Sequence, residues 1–250
     1  GLDALIISGA NVSHPDLQRA PFYEQLKEVV DWSYENVTST LCSCLATHAV
    51  LEFKYGQKRQ PVGAKHWGVF PHKVVNRSHP LIKGVNTRFD IPHSRFNEIS
   101  ELQFSKAEVE VLAKSPIGVH LAVSPDLFRI VFFQGHPEYD AISLLKEYKR
   151  EVALYLENNG TEYPPIPSNY LSLQSQAILK EYRTKLDSKK ASIADFPEAL
   201  IANRLDNTWH DSANAIINNW IGCVYQTTNE DITKPFMDGV DPTNPLKLKK

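Results

Sequence analysis

No apolar run in the 250 residues approaches the roughly 20 that a bilayer-spanning helix needs. The opening GLDALIISGA also lacks the basic leader and longer apolar stretch of a signal peptide. These absences argue against a membrane span and a secretory leader, and the expected location is the cytoplasm. A dominant charge sign is missing too, because 27 basic side chains face 29 acidic ones along the chain. No footprint for nucleic acid or an anionic membrane results, and the short run LKLKK at the end reads as a solvated tail. Cysteine is scarce. Three cysteines are too few for a disulfide framework in a chain of this length, and Cys42 and Cys44 stand too close to bridge easily. No second ligand pair has zinc spacing. A reduced compartment with no metal is the expectation, and no internal repeat organises the chain.

What is present is an ordinary globular composition, 42% hydrophobic, enough to bury a substantial core. DALIIS (3–8) reads as a buried strand closed by Gly9. From Phe22 the apolar residues Leu26, Val29 and Val30 recur at helical spacing opposite Glu24, Lys27, Glu28 and Asp31. TSTLCS (38–43) reads as a second strand and ATHAVLEF (46–53) as a second helix, and this alternation predicts an α/β sheet with parallel strands. Short strands are expected near Trp67–Phe70 and Phe89–Ile91, then at Glu108–Ala113, Val119–Val123 and Leu127–Phe133, followed by a helix from about Ala141 to Asn158. Pro164, Pro165 and Pro167 mark a linker or irregular crossing. Beyond them the pattern is mostly helical, with an amphipathic segment near Asn214–Tyr225. The expected division is an α/β catalytic domain over 1–160 and a mainly helical region over 161–250 packed on it. The first strand looks central in the sheet, which leads to the expectation that an N-terminal segment precedes it.

The pair of cysteines in LCSCLATHAVL falls where strand becomes helix. Cys42 reads as a small core residue within an apolar strand. Cys44, at the turn itself, would hold its sulfur above the C-terminal edge of the sheet, where ligands of open α/β sheets collect. The following helix N-terminus favours a thiolate there. The backbone N–H of Leu45, with one from the Gly9–Ala10 turn, would face an oxyanion forming beside the sulfur. His136, just past a strand, would reach the same edge as a base, with Glu138 to fix its tautomer. Such a Cys-His-Glu set suits acyl transfer and amide hydrolysis alike, and a non-catalytic relative that keeps the cysteine as a packing or sensor residue remains open. The other histidines read as packing or surface residues.

LIISGAN, VTSTLCSCLATHA, GVFPH, PHSRF and GHPEYD in this order, with TWHDSANAIINNWIGCVYQTT further on, resemble the homoserine O-acyltransferases of the trans-succinylase type. The resemblance implies a class I glutamine-amidotransferase-like (flavodoxin-like) fold, a mostly parallel sheet flanked by helices, with a helical C-terminal extension. It implies transfer of a succinyl or acetyl group from coenzyme A to the side-chain hydroxyl of homoserine or a similar amino acid, in methionine biosynthesis. Succinyl-CoA or acetyl-CoA would be a co-substrate, no cofactor would stay bound, and a homodimer is expected. By position, Cys44 is then the acyl-accepting nucleophile, His136 the general base and Glu138 its partner. Lys65 lines the acyl site, Ser94 and Arg95 flank the pocket, and Arg150 binds the amino acid's carboxylate, a task suited to a guanidinium fork. Ser13 takes the position that tunes the donor, where a small residue leaves room for succinyl. Leu45, Thr47, Pro71 and the WHDS segment depart from the family's usual residues.

Overall fold

Apolar segments scattered along the chain pair into one sheet, and the segments between them fold into helices on its faces. The computed structural model describes residues 1–158 and 162–248; the expected boundary at 160/161 and the last two lysines of the basic tail lie outside them. In chain order the elements are β1 (Ala4–Ile7), α1 (Tyr23–Asn36), β2 (Ser39–Ser43), α2 (Leu45–Tyr55), β3 (Gln60–Val74), β4 (Arg88–Glu98) and α3 (Glu101–Lys106). They continue with β5 (Glu110–Ser115), β6 (Gly118–Val123), β7 (Ile130–Phe133), α4 (Ser143–Glu157), α5 (Leu173–Asp187), α6 (Glu198–Ala202) and α7 (His210–Thr227).

The sheet runs β1-β2-β7-β6-β5-β3-β4. The α/β expectation holds, but the sheet is mixed rather than mostly parallel: β1–β2 and β2–β7 are parallel and the remaining pairs antiparallel. Connection length explains this. Parallel neighbours need a crossover of about a dozen residues or more, which α1 supplies between β1 and β2, whereas β5 and β6 are joined only by Pro116 and Ile117. Strand β1 is not central, because it pairs with β2 alone at the edge and leaves Ile6 56% exposed. A short apolar run reads the same in either place. Strand β3 is far longer than Trp67–Phe70; Pro61 and Gly63 break the alternation that would have announced its first half, and the register shifts between Pro61 and His66. Helix α3 has too few residues to show a period; a capping box between Ser100 and Gln103 starts it.

Both faces of the sheet are covered. Cys42, Ala46, Val50, Phe104 and Phe132 pack together on one side. On the other, Val69, Leu121 and Phe133 share a core with Tyr148 of α4, Leu179 of α5 and Trp220 of α7. The proline-rich crossing is pinned to β3 by Ser168, whose N–H donates to the Trp67 carbonyl while its own carbonyl accepts from the Val69 N–H, both at 2.9 Å. Trp209, buried at the start of α7, donates from Nε1 to the Tyr139 carbonyl at 2.8 Å. Among the described residues no helix is long and apolar enough to cross a membrane.

Candidate active site

Parallel register brings the first two candidate residues, Cys44 and His136, to one edge. Ser43 at the end of β2 lies beside Phe133 at the end of β7, so the residues that follow each strand emerge at one edge. The Cys44 N–H donates to the Phe133 carbonyl at 2.7 Å, which locks the turn. Cys44 has φ +50° and ψ −109°, a left-handed conformation unfavourable for a residue with a Cβ. Strain of this kind, typically about 1–3 kcal/mol, persists only where the surroundings impose it. Here Thr47 helps to impose it, its hydroxyl reaching the Phe133 carbonyl at 2.8 Å and the Cys42 carbonyl at 3.0 Å. The turn lifts the Cys44 sulfur into a partly open position at the head of α2, whereas Cys42 is fully buried and its thiol is pushed up to about 12 by burial.

His136 arrives from β7 through Gly135, where any Cβ would stand 2.5 Å from Ile91 Cγ2. The His136 N–H donates to the Pro92 carbonyl of β4 at 2.8 Å, and the ring stacks on Tyr139 at 4.3 Å. Nδ1 meets Glu138 Oε1 at 2.8 Å, which leaves Nε2 for the Cys44 sulfur. Burial alone would depress this imidazole, but the Cys44 charge and hydrogen bond, with Glu138 behind, raise it to about 10. The imidazolium form of His136 is therefore the favoured one in this site.

These groups open on a cavity of about 290 Å³. Gly9 and Ala10 from the loop after β1, and Leu45 at the head of α2, line it beside Cys44, where the oxyanion donors are expected. Lys65, Ser94 and Arg95 from β3 and β4 line it too, as do Ser13 and Arg150. Arg95 is buried: its guanidinium reaches the Ile117 carbonyl at 2.7 Å and Glu98 at 3.3 Å, and burial pulls its pKa down. Arg150 stays half exposed, 3.8 Å from Glu151.

Several of these side chains converge on Glu147, which the sequence reading had not singled out. It accepts from Ser94 Oγ at 2.7 Å, Trp67 Nε1 at 2.9 Å and the Tyr139 hydroxyl at 2.5 Å, with Lys65 Nζ at 3.9 Å. The Lys65 ammonium also lies 4.0 Å over the Trp67 ring, and burial lowers its pKa. The readable signal was helical spacing: Glu147 stands three residues before Arg150 on α4, hence on the same face.

Arg59 was missed as well. It is buried, and it holds the loop after β1 by its carbonyls: Nε donates to Pro15 O at 3.2 Å, and Nη2 to Val12 O at 2.7 Å and to His14 O. Asn97 Nδ2 takes the remaining Ser13 carbonyl at 2.8 Å. Burial lowers the Arg59 pKa, while the Cys44 charge favours its cationic form. No group of three or more metal-ligating side chains suited to hold an ion occurs among the described residues.

A family model described as homoserine O-succinyltransferase matches residues 1–230. The homoserine O-succinyltransferase of Nitrosococcus oceani is 60% identical over 254 residues, spanning 100% of this chain and 71% of that protein. The enzyme of that name from Thioalkalivibrio nitratireducens is likewise 60% identical, spanning 100% and 71%. Among solved structures, SMU.1228c superposes with a TM-score of 0.51 and 13% identity over 89% of this chain and 80% of its own, a likeness of fold.

Proposed function

The chain belongs to the homoserine O-succinyltransferase family, and from that premise we propose that it moves succinyl from succinyl-CoA to the hydroxyl of homoserine through a Cys44 thioester, in methionine biosynthesis. The observation that carries this reading is the meeting of Cys44 and His136 over one edge of the sheet, with Glu138 on the far nitrogen. The Cys44 thiolate attacks the thioester carbonyl, and the Leu45 N–H with that of Ala10 holds the tetrahedral oxyanion. When the carbonyl re-forms, the carbon–sulfur bond to CoA breaks and CoA takes the His136 proton. Neutral His136 then removes the proton of the acceptor hydroxyl, whose oxygen attacks the acyl group, and Cys44 leaves as thiolate beside a re-formed imidazolium.

Electrostatics supports the two halves in turn. In the resting site the Cys44 charge, with Glu138 behind the ring, favours the imidazolium of His136 and raises its pKa to about 10. Acylation removes that charge while burial still disfavours the imidazolium, so the imidazole becomes a base when the acceptor needs one. Arg150, at the exposed end of the cavity, is assigned to the acceptor's carboxylate, and Lys65 and Ser94 to the acyl side. Ser13 leaves room for succinyl, with acetyl-CoA the competing donor. CoA chemistry and free cysteines favour the cytoplasm, and a homodimer belongs to the same proposal.

The test omits the acceptor. Succinyl-CoA should release one CoA per active site in a burst and leave a succinyl adduct on Cys44, seen by mass; Cys44→Ala should abolish both. In Cys44→Ser, His136 should titrate well below 10. A burst that survives Cys44→Ala would reject the scheme, as would ammonia from glutamine with no thiol from succinyl-CoA.

A further inference from the structure

Four long-chain cations line the cavity, and three of them already have a carboxylate. Lys65 lies 3.9 Å from Glu147, Arg95 3.3 Å from Glu98 and Arg150 3.8 Å from Glu151. Arg59 has no acidic partner at ion-pair distance among the described residues, and its acceptors are the neutral carbonyls of Val12, His14 and Pro15. Those bonds engage Nε and Nη2. Nη1 keeps two N–H groups with no acceptor among the described residues, and it is not among the polar atoms sealed in the core without a partner. Residue 59 borders the same cavity as Cys44 and Ser13. Cys44 and Glu52 favour its charge only from beyond ion-pair distance; a buried cation hydrogen-bonded only by neutral groups is stabilised when an anion joins it, and the proposed donor carries one, the carboxylate at the far end of its acyl chain.

We propose that Arg59 reads the distal carboxylate of the succinyl group through Nη1, while Nε and Nη2 fix the loop that carries Ala10 and Ser13. The guanidinium suits both duties because its donors lie in one rigid plane. The inference rests on the succinyl-donor reading above. It makes Arg59 a determinant of donor choice, distinct from the nucleophile and its base.

Butyryl-CoA has the same chain length and lacks only the carboxylate, so it isolates the contact. Binding is measured in a Cys44→Ala background, where turnover cannot interfere, with Arg59 kept, changed to Met, or changed to Lys. The parent should bind succinyl-CoA at least tenfold more tightly than butyryl-CoA, within the usual range for a charge-assisted contact. Arg59→Met should erase that ratio. Arg59→Lys keeps a charge but not the fork, and should fall between. If Arg59→Met does not fold, the Lys ratio decides: one equal to the parent's overturns the proposal.

A preference that persists in Arg59→Met overturns it as well, and so does a parent with no preference. If Arg59 served only the loop or the Cys44 thiolate, both donors would weaken by the same factor and the ratio would hold. Failure of the unmodified protein to release CoA from succinyl-CoA would instead count against the acyl-transfer reading.

Discussion

At Gly9 the loop after β1 passes so close to the proposed nucleophile that a Cβ there would stand 3.0 Å from the Cys44 Cβ and 3.3 Å from the Leu45 nitrogen. Gly9→Ala therefore places a methyl group against the donor expected to hold the oxyanion. Loss of one such donor typically costs about 10²–10³ in kcat, and a fall of that size is expected here, with the KM for homoserine little changed; full activity would show that the oxyanion is held elsewhere. That Cys44, His136 and Glu138 gather at one edge was legible because strand ends confine them: they sit one to five residues beyond two strands that pair in parallel. Arg59 was not legible, and Glu147 only through its spacing to Arg150 on α4. Their partners come from segments remote in sequence, residues 12–15 for one and Trp67, Ser94 and Tyr139 for the other, and no local spacing announces such contacts.

Among the elements, helices were easier to read than strand pairing. The period of α1, α2, α4 and α7 is carried by local spacing, whereas strand direction depends on which neighbour each strand meets; hence the unexpected antiparallel pairs and the edge position of β1. Helix α7 shows how an element far along the chain can govern the site. Its buried Trp209 ties the Tyr139 carbonyl, and Tyr139 stacks on His136 and donates to Glu147. Trp209→Phe keeps the apolar ring and removes the N–H, leaving that carbonyl short of a donor. A loss of about 1 kcal/mol is expected, lowering the melting temperature by roughly 2–4 °C for a chain of this size. If the tie also aligns the base, kcat should fall several-fold while binding of succinyl-CoA stays constant. A stability loss with unaltered kcat would confine Trp209 to holding the fold.

For the whole molecule, the distribution of histidines sets the pH range of stability. His72 and His93 stack at 5.0 Å, and His120 meets them edge-on at 5.5 and 6.2 Å while stacking on Phe133 at 5.2 Å. Burial lowers His72 to about 4 and His48 to about 3, and it holds His93 and His120 well below 6.5. These rings stay neutral in the folded protein as acid is added, while the unfolded chain takes up protons below about 6.5. Stability therefore falls as pH drops through this range, by roughly 1.4 kcal/mol per pH unit for each ring that remains neutral. His136 has the opposite sign: raised to about 10, it contributes fully below 6.5, and its contribution is lost as pH climbs toward 10. The melting temperature should accordingly decline on the acid side first and steeply, since several rings act there together. His120→Phe preserves the stack on Phe133, although it removes an acceptor for the Gly135 N–H at 3.3 Å. It should melt lower at neutral pH yet lose less on acidification, flattening the limb between pH 6.5 and 4 by about the contribution of one ring. An acid limb as steep in that variant as in the parent would mean that His120 binds its proton in the folded state as readily as in the unfolded chain, and that the histidine cluster takes up charge without unfolding.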